Sequence, residues 1–235
     1  MHGNEIRVVH SIEMIRPAHD RATHAARWAS FAITCFGLSV LIVLGLHLAL
    51  RNDVDPIRQV ISDYAVSGGA VAFAAATLAL AAGTLVLTAG LSRARIPLTK
   101  PVRALLAVWS GGLTLCACFR TDLSGAAMTP SGEVHRYAGI ALFVSLPSAT
   151  RLLARRLRED VAWQPLADRL RRLTRWAWCG LAVFTCSQLP AVLPLPGLTR
   201  EALAQGLAER FVFVVYLGLL CELAGAVLRT GRKPC

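Results

Sequence analysis

The sequence predicts an all-α protein: a polytopic membrane protein folded as a six-transmembrane-helix bundle with both termini in the cytoplasm. Three observations predict it. The 235 residues are 55% hydrophobic, with a mean hydropathy of +0.53, too apolar for a soluble domain of that length. Six apolar runs are separated by short polar segments. Basic residues alternate between those segments: counts of 4, 4, 8 and 3 fall in the N-terminal tail, second loop, fourth loop and C-terminus, together 19 of the 25 Lys and Arg. The remaining six lie in the first, third and fifth loops, the asymmetry that sets membrane topology.

The charge therefore has a membrane explanation. A formal charge of +11 and a pI near 10.2 would suggest nucleic acid in a soluble chain. Here the basic groups lie between apolar runs, so the lipid bilayer is the expected partner and no nucleic acid is. Of the seven cysteines, six (Cys35, Cys116, Cys118, Cys179, Cys186 and Cys221) lie inside apolar runs and Cys235 ends the chain. No CxxC pair occurs, so neither a disulfide framework nor a zinc site is expected. No metal site is assigned, and the sequence specifies no cofactor.

Residues 1–27 read as a cytoplasmic polar and disordered tail with four histidines; Met14 is an alternative start. Residues 28–229 form the membrane domain and residues 230–235 a second cytoplasmic tail. The first span, residues 28–50, is uncharged and long enough to cross about 30 Å of hydrocarbon. Asp55-Pro56 reads as a helix start, and Ile57, Val60, Ile61 and Tyr64 recur at helical spacing, which predicts a short interfacial helix. The second span covers residues 66–91, with Gly68-Gly69 bending its start and Ala79 and Gly83 as a small-residue packing pair. The third, residues 104–119, is short.

The fourth span covers residues 135–152. Its helix is expected to begin earlier, with Thr129 as cap and Pro130 in first position, to end near Leu157, and to kink at Pro147. Residues 151–175 carry eight arginines. Leu166, Leu170 and Leu173 recur among them, predicting a helix on the membrane surface that binds anionic lipid. The fifth span is residues 176–195. A short polar helix over residues 199–210, holding Glu201 and Glu209, precedes the sixth span, residues 211–228.

Chemistry is expected where polar groups gather at span mouths. Asp63 with Ser62 and Tyr64, Asp122 with Arg120 and Thr121, and Glu133 with His135 all fall on the side predicted to face outward. A charged group at the end of a short span needs a partner or a wet cavity. The expectation is one outward-facing pocket in which Asp63, Asp122 and His135 are the acid–base residues. Ser62, Tyr64, Arg120 and Glu133 would bind substrate, with Arg120 pairing with Asp122 or Asp63. Glu222 is the lone acid inside a span, with Ser187, Gln188 or His47 as partners, and a further binding candidate.

Asp55-Pro56, Ser62-Asp63-Tyr64-Ala65, the Phe119-Arg120-Thr121-Asp122 run and Thr129 to His135 resemble domain-of-unknown-function family 998, six-span membrane proteins of bacteria and archaea. The resemblance covers roughly residues 28–225. It implies the fold and points to Ser62, Asp63, Tyr64, Asp122 and His135, and it brings no activity. Family members look like Phe-Pro-x-Asp where this chain has Arg120 after Phe119.

Three functions follow as expectations. The first is an intramembrane enzyme acting by acid–base chemistry on a lipid-soluble, isoprenoid or lipid-like small molecule. The second is a carrier or exporter using Glu222, and the third a non-catalytic membrane subunit. No nucleotide loop, Gly-x-Ser-x-Gly elbow or HExxH motif occurs, so ATP-driven transport and familiar hydrolase chemistry have no support.

Overall fold

The computed structural model describes residues 3–123, 126–189 and 204–230, with side chains from residue 24 onward. Among these residues the fold is all-α. Six long helices follow in order: α1 (Gly3–Ala49), α2 (Ala70–Arg93), α3 (Lys100–Cys118), α4 (Pro130–Leu157), α5 (Gln164–Gln188) and α6 (Gln205–Thr230). Five stretches are long and apolar enough to cross a membrane: His24–Ala49, Ala65–Arg93, Lys100–Cys118, Pro130–Leu157 and Gln205–Thr230. The chain is an integral membrane protein. The fifth expected span differs: four arginines occupy the first half of α5, and its expected end at Leu195 lies outside the described residues.

Sequential helices pack antiparallel. Gly83 of α2 lies against Cys35 and Phe36 of α1, and Gly90 against Trp28 and Ala25. Gly112 of α3 meets Ala138 and Leu142 of α4, and Gly180 of α5 meets Phe211 and Val212 of α6. A side chain larger than hydrogen at Gly83 would stand 2.6 Å from the Phe36 ring. Such close approach matters in lipid, where hydrocarbon outside the bundle is as apolar as the side chains inside it. Exposed Val71, Leu48 and Val214 therefore carry no penalty, and the bundle relies on tight packing and polar ties.

Those ties run through the centre. Trp109 of α3, fully buried, donates its indole N–H to Thr84 Oγ1 of α2 at 3.2 Å and packs edge-on against Tyr216 of α6, with centroids 5.4 Å apart. Pro147 sits inside α4 and has no N–H to offer the carbonyl four residues earlier, that of Phe143. Tyr216 supplies the missing donor, its hydroxyl bonding to Phe143 O. The expected Thr129 cap is present: its hydroxyl accepts Gly132 N–H at 3.1 Å, with Pro130 opening the helix. The expected break at the start of the second span is also present. Ala65–Gly69 forms a π-turn in which Gly68 has φ +98°, a conformation that needs glycine.

Four expectations are corrected. Residues 3–27 are helical and continue α1 rather than forming a disordered tail, and the helix runs through Pro17. Residues 55–62 form turns, not an interfacial helix, because α6 offers their backbone better partners (below). The arginine-rich stretch is no separate surface helix: α4 runs to Leu157, a turn follows, and α5 starts at Gln164 and continues unbroken. Leu166 and Leu170 accordingly face the core. Finally, Glu209 belongs to α6 itself, while residues 199–203 of the expected polar helix lie outside the described residues.

Candidate functional site

At one end of the bundle, here called the upper end, the last turns of α1, α3 and α5 meet the first turns of α2, α4 and α6. Residues 51–64 cross this end and are held by the start of α6. Leu207 N–H donates to Ile57 O at 3.0 Å. Glu209 accepts Ile61 N–H. Arg210 Nη1 donates to Gln59 O at 2.8 Å and to Gly206 O at 2.9 Å. Gly206 is required for this approach: a Cβ there would lie 2.1 Å from Gln59 O. Asp55 bonds locally, its carboxylate accepting Ile57 N–H at 2.9 Å.

Arg210 also reaches α1. Its Nε–H donates to His47 Nε2 at 2.8 Å, and His47 Nδ1 is 2.6 Å from Val43 O. This pattern assigns the proton of neutral His47 to Nδ1, since Nε2 must accept. Tyr64, with none of its surface exposed, packs its ring 5.1 Å from that of His47 at a 45° tilt and accepts from Arg210 Nη2 at 3.4 Å. Asp63, 8% exposed, accepts Val60 N–H at 3.1 Å. Glu209, 6% exposed, is close enough to feel the charge of both Asp63 and Arg210. Two buried carboxylates, a guanidinium, an imidazole and a phenol thus converge from α1, the 51–64 segment and α6.

The second polar group is built between α3 and α4. Asp122 Oδ2 accepts Thr129 N–H at 2.9 Å and Oδ1 accepts the Thr129 hydroxyl at 2.7 Å. Gly132 leaves room for this carboxylate, since a Cβ there would stand 1.8 Å from Asp122 Oδ2. Ser131 donates to Arg120 O at 3.0 Å. His135, 9% exposed, bonds Phe119 O through Nδ1 at 2.8 Å. Asp122 therefore closes the mouth of α4 instead of pairing with Arg120, which makes no ion pair among the described residues. Glu133 is exposed on the first turn of α4, where its charge complements the helix N-terminus.

An open hollow of about 600 Å³ separates α2's start from the 120–129 loop. Its walls include Ala65, Val66, Gly68, Arg120, Asp122 and Thr129. Of the residues expected to share one pocket, Arg120 and Asp122 line this hollow, while Asp63, Tyr64, Glu133 and His135 are not among its lining residues. Ser62, half-buried, and Asp63–Tyr64 lie just before the opposite wall. Glu222 is elsewhere: at the lower end it bonds Arg169 at 3.0 Å and lies 3.8 Å from Arg229. The expected partners His47, Ser187 and Gln188 lie toward the other end. Among the described residues no group of His, Cys, Asp and Glu is placed to hold a metal ion.

Sequence reasoning missed Glu209, Arg210 and His47 as members of the upper cluster. One signal was present: Glu209-Arg210 stands directly before the apolar run of α6, a place where a charge pair must find partners.

The Thr129 N–H, then its hydroxyl, then the nearby His135 hold the Asp122 carboxyl below the usual carboxylate range. Because its folded value is depressed, the stability it lends is present above the unfolded value of about 3.9 and is lost as pH falls through the folded one. Between pH 5 and pH 2.5, protection of the Thr129 amide from hydrogen exchange is expected to fall in the wild type. In Asp122→Asn the fall attributable to this carboxyl is expected to vanish. Equal acid sensitivity in both proteins would remove the carboxylate from this role.

No curated protein and no solved structure matches the chain. A family model described as protein of unknown function (DUF998) matches residues 33–226, most of the chain, and the sequence resemblance agrees with it. The chain is a member of the DUF998 family of proteins of unknown function.

Proposed function

We propose that the chain crosses the cell membrane six times with both termini in the cytoplasm, and that its outer end is an enzyme site moving protons on a lipid-soluble, isoprenoid or lipid-like substrate. The alternation of basic residues supports the orientation. One observation carries the chemistry: Asp63 and Glu209 are both buried and within reach of each other's charge, and Asp63 stands two residues before Ala65 on the wall of the hollow. A neighbouring pair of carboxylates supplies an acid and a base for proton transfer. Arg120, exposed on the far wall, meets a polar or anionic head group. Asp122 and His135 act as positioning residues that fix the 119–135 rim.

Profiling of lipid-soluble metabolites tests this reading. The strains are a deletion, and the deletion complemented with wild type, Asp63→Asn or Glu209→Gln at equal protein level. A precursor that accumulates in the deletion, disappears with wild type and persists with Glu209→Gln is expected. An unchanged pool in the deletion sinks the enzyme reading and leaves the subunit reading. A changed ratio of internal to external metabolite without new chemistry would favour a carrier. The carrier reading rests on Glu222, which lies at the lower end beside Arg169 and Arg229.

A further inference from the structure

The arginines of residues 151–175 are gathered on one surface. Helices α4 and α5 run antiparallel and touch where Thr150 Oγ1 meets Thr174 Oγ1 at 2.9 Å. At about 100° per residue, Arg151, Arg155 and Arg158 share an arc about 60° wide on α4. That arc lies beyond Thr150 on the side away from buried Leu146, Ala149 and Leu153. On α5, Arg171 and Arg175 share an arc about 40° wide, beyond Thr174 and away from buried Leu170 and Ala177. Both helices wind right-handed and run in opposite directions, so the two arcs flank the same outer side of the seam. All five side chains are exposed.

This cluster is poorly neutralised from within. Arg171 lies 3.7 Å from Asp168. Arg151, Arg155, Arg158 and Arg175 make no ion pair among the described residues. The other acids of the stretch are engaged: Glu159 with Arg156, and Asp160 with the N–H of Ala162. About two and three turns toward the middle of the bundle, the arginine arc of α4 continues as Val144 and Ile140, 43% and 56% exposed. The surface is thus cationic at the end of a membrane-crossing helix and apolar directly beyond it.

We propose that this α4–α5 seam is a binding site for an anionic phospholipid, whose phosphate bridges Arg151, Arg155 and Arg175 while an acyl chain lies along Val144 and Ile140. Guanidinium forks match phosphate oxygens, and the apolar continuation selects a lipid over a soluble phosphate. The site is distinct from the upper cluster and stands whether or not that cluster is catalytic.

The test uses the full chain in detergent, titrated with phosphatidylglycerol or phosphatidylcholine and read by native mass spectrometry for lipid retained. Wild type is expected to retain phosphatidylglycerol preferentially. The triple variant Arg151→Gln, Arg155→Gln, Arg175→Gln is expected to bind it more weakly by about one to two orders of magnitude. A control that removes three lower-end charges elsewhere, Arg93→Gln, Lys100→Gln and Arg103→Gln, is expected to retain it. Equal losses in both variants, or no preference over phosphatidylcholine, would overturn the proposal. Displacement by millimolar inorganic phosphate alone would overturn the lipid assignment. A thermal unfolding midpoint shared by all three proteins shows that lost retention is not lost folding.

Discussion

Arg210→Ala is expected to destabilise the protein by about 3 kcal/mol, the cost of removing one partner from a poorly hydrated charged network. The side chain joins three pieces of chain: it bonds His47 of α1, Gln59 and the Tyr64 hydroxyl of the 51–64 segment, and Gly206 of its own helix. Without it, buried Glu209 loses the guanidinium whose charge acts on it. Arg210→Lys keeps a charge but loses the planar fork, so an intermediate loss is expected. Thermal unfolding in detergent measures both. Arg120→Ala is the control: it removes an exposed arginine at the same end, and a change within about 0.5 kcal/mol is expected. Equal destabilisation by Arg120→Ala and Arg210→Ala would show that the clasp does not hold the upper end.

Tyr216→Phe is expected to cost about 2 kcal/mol by leaving a buried carbonyl without its donor. The reason is local and testable by a cycle. Pro147 withholds the N–H that Phe143 O would otherwise receive within α4, and the Tyr216 hydroxyl replaces it from α6. Pro147→Ala restores the missing N–H, so Tyr216→Phe should cost measurably less in that background. Identical costs in both backgrounds would separate the hydroxyl from the proline. The same bond ties α4 to α6 in a bundle interior where no water can substitute.

The elements were largely legible because apolar length, caps and breakers act locally. Thr129 and Pro130 announce the start of α4, and Gly68 announces the break before α2, since each acts within one turn. Less legible were the 51–64 turns. Ile57, Val60, Ile61 and Tyr64 have the spacing of an amphipathic helix, yet the backbone bonds to Leu207, Glu209 and Arg210 instead. Those partners are about 150 residues away in sequence, so no local pattern reveals them. Asp122 shows the same limit in milder form: its place in the motif was readable, but its bonds to Thr129 rather than Arg120 depend on how α3 and α4 pack.

The sequence by itself determined that this chain is an all-α integral membrane protein, because hydropathy, span length and helix punctuation are properties of short segments. It also pointed to the end of the bundle where polar groups collect. Only the tertiary structure decided the pairings: Glu222 with Arg169 and Arg229, Arg210 with His47, and Asp63 within reach of Glu209. A buried charge takes whichever partner the packed helices bring within a few ångströms, and that choice is made by the bundle as a whole.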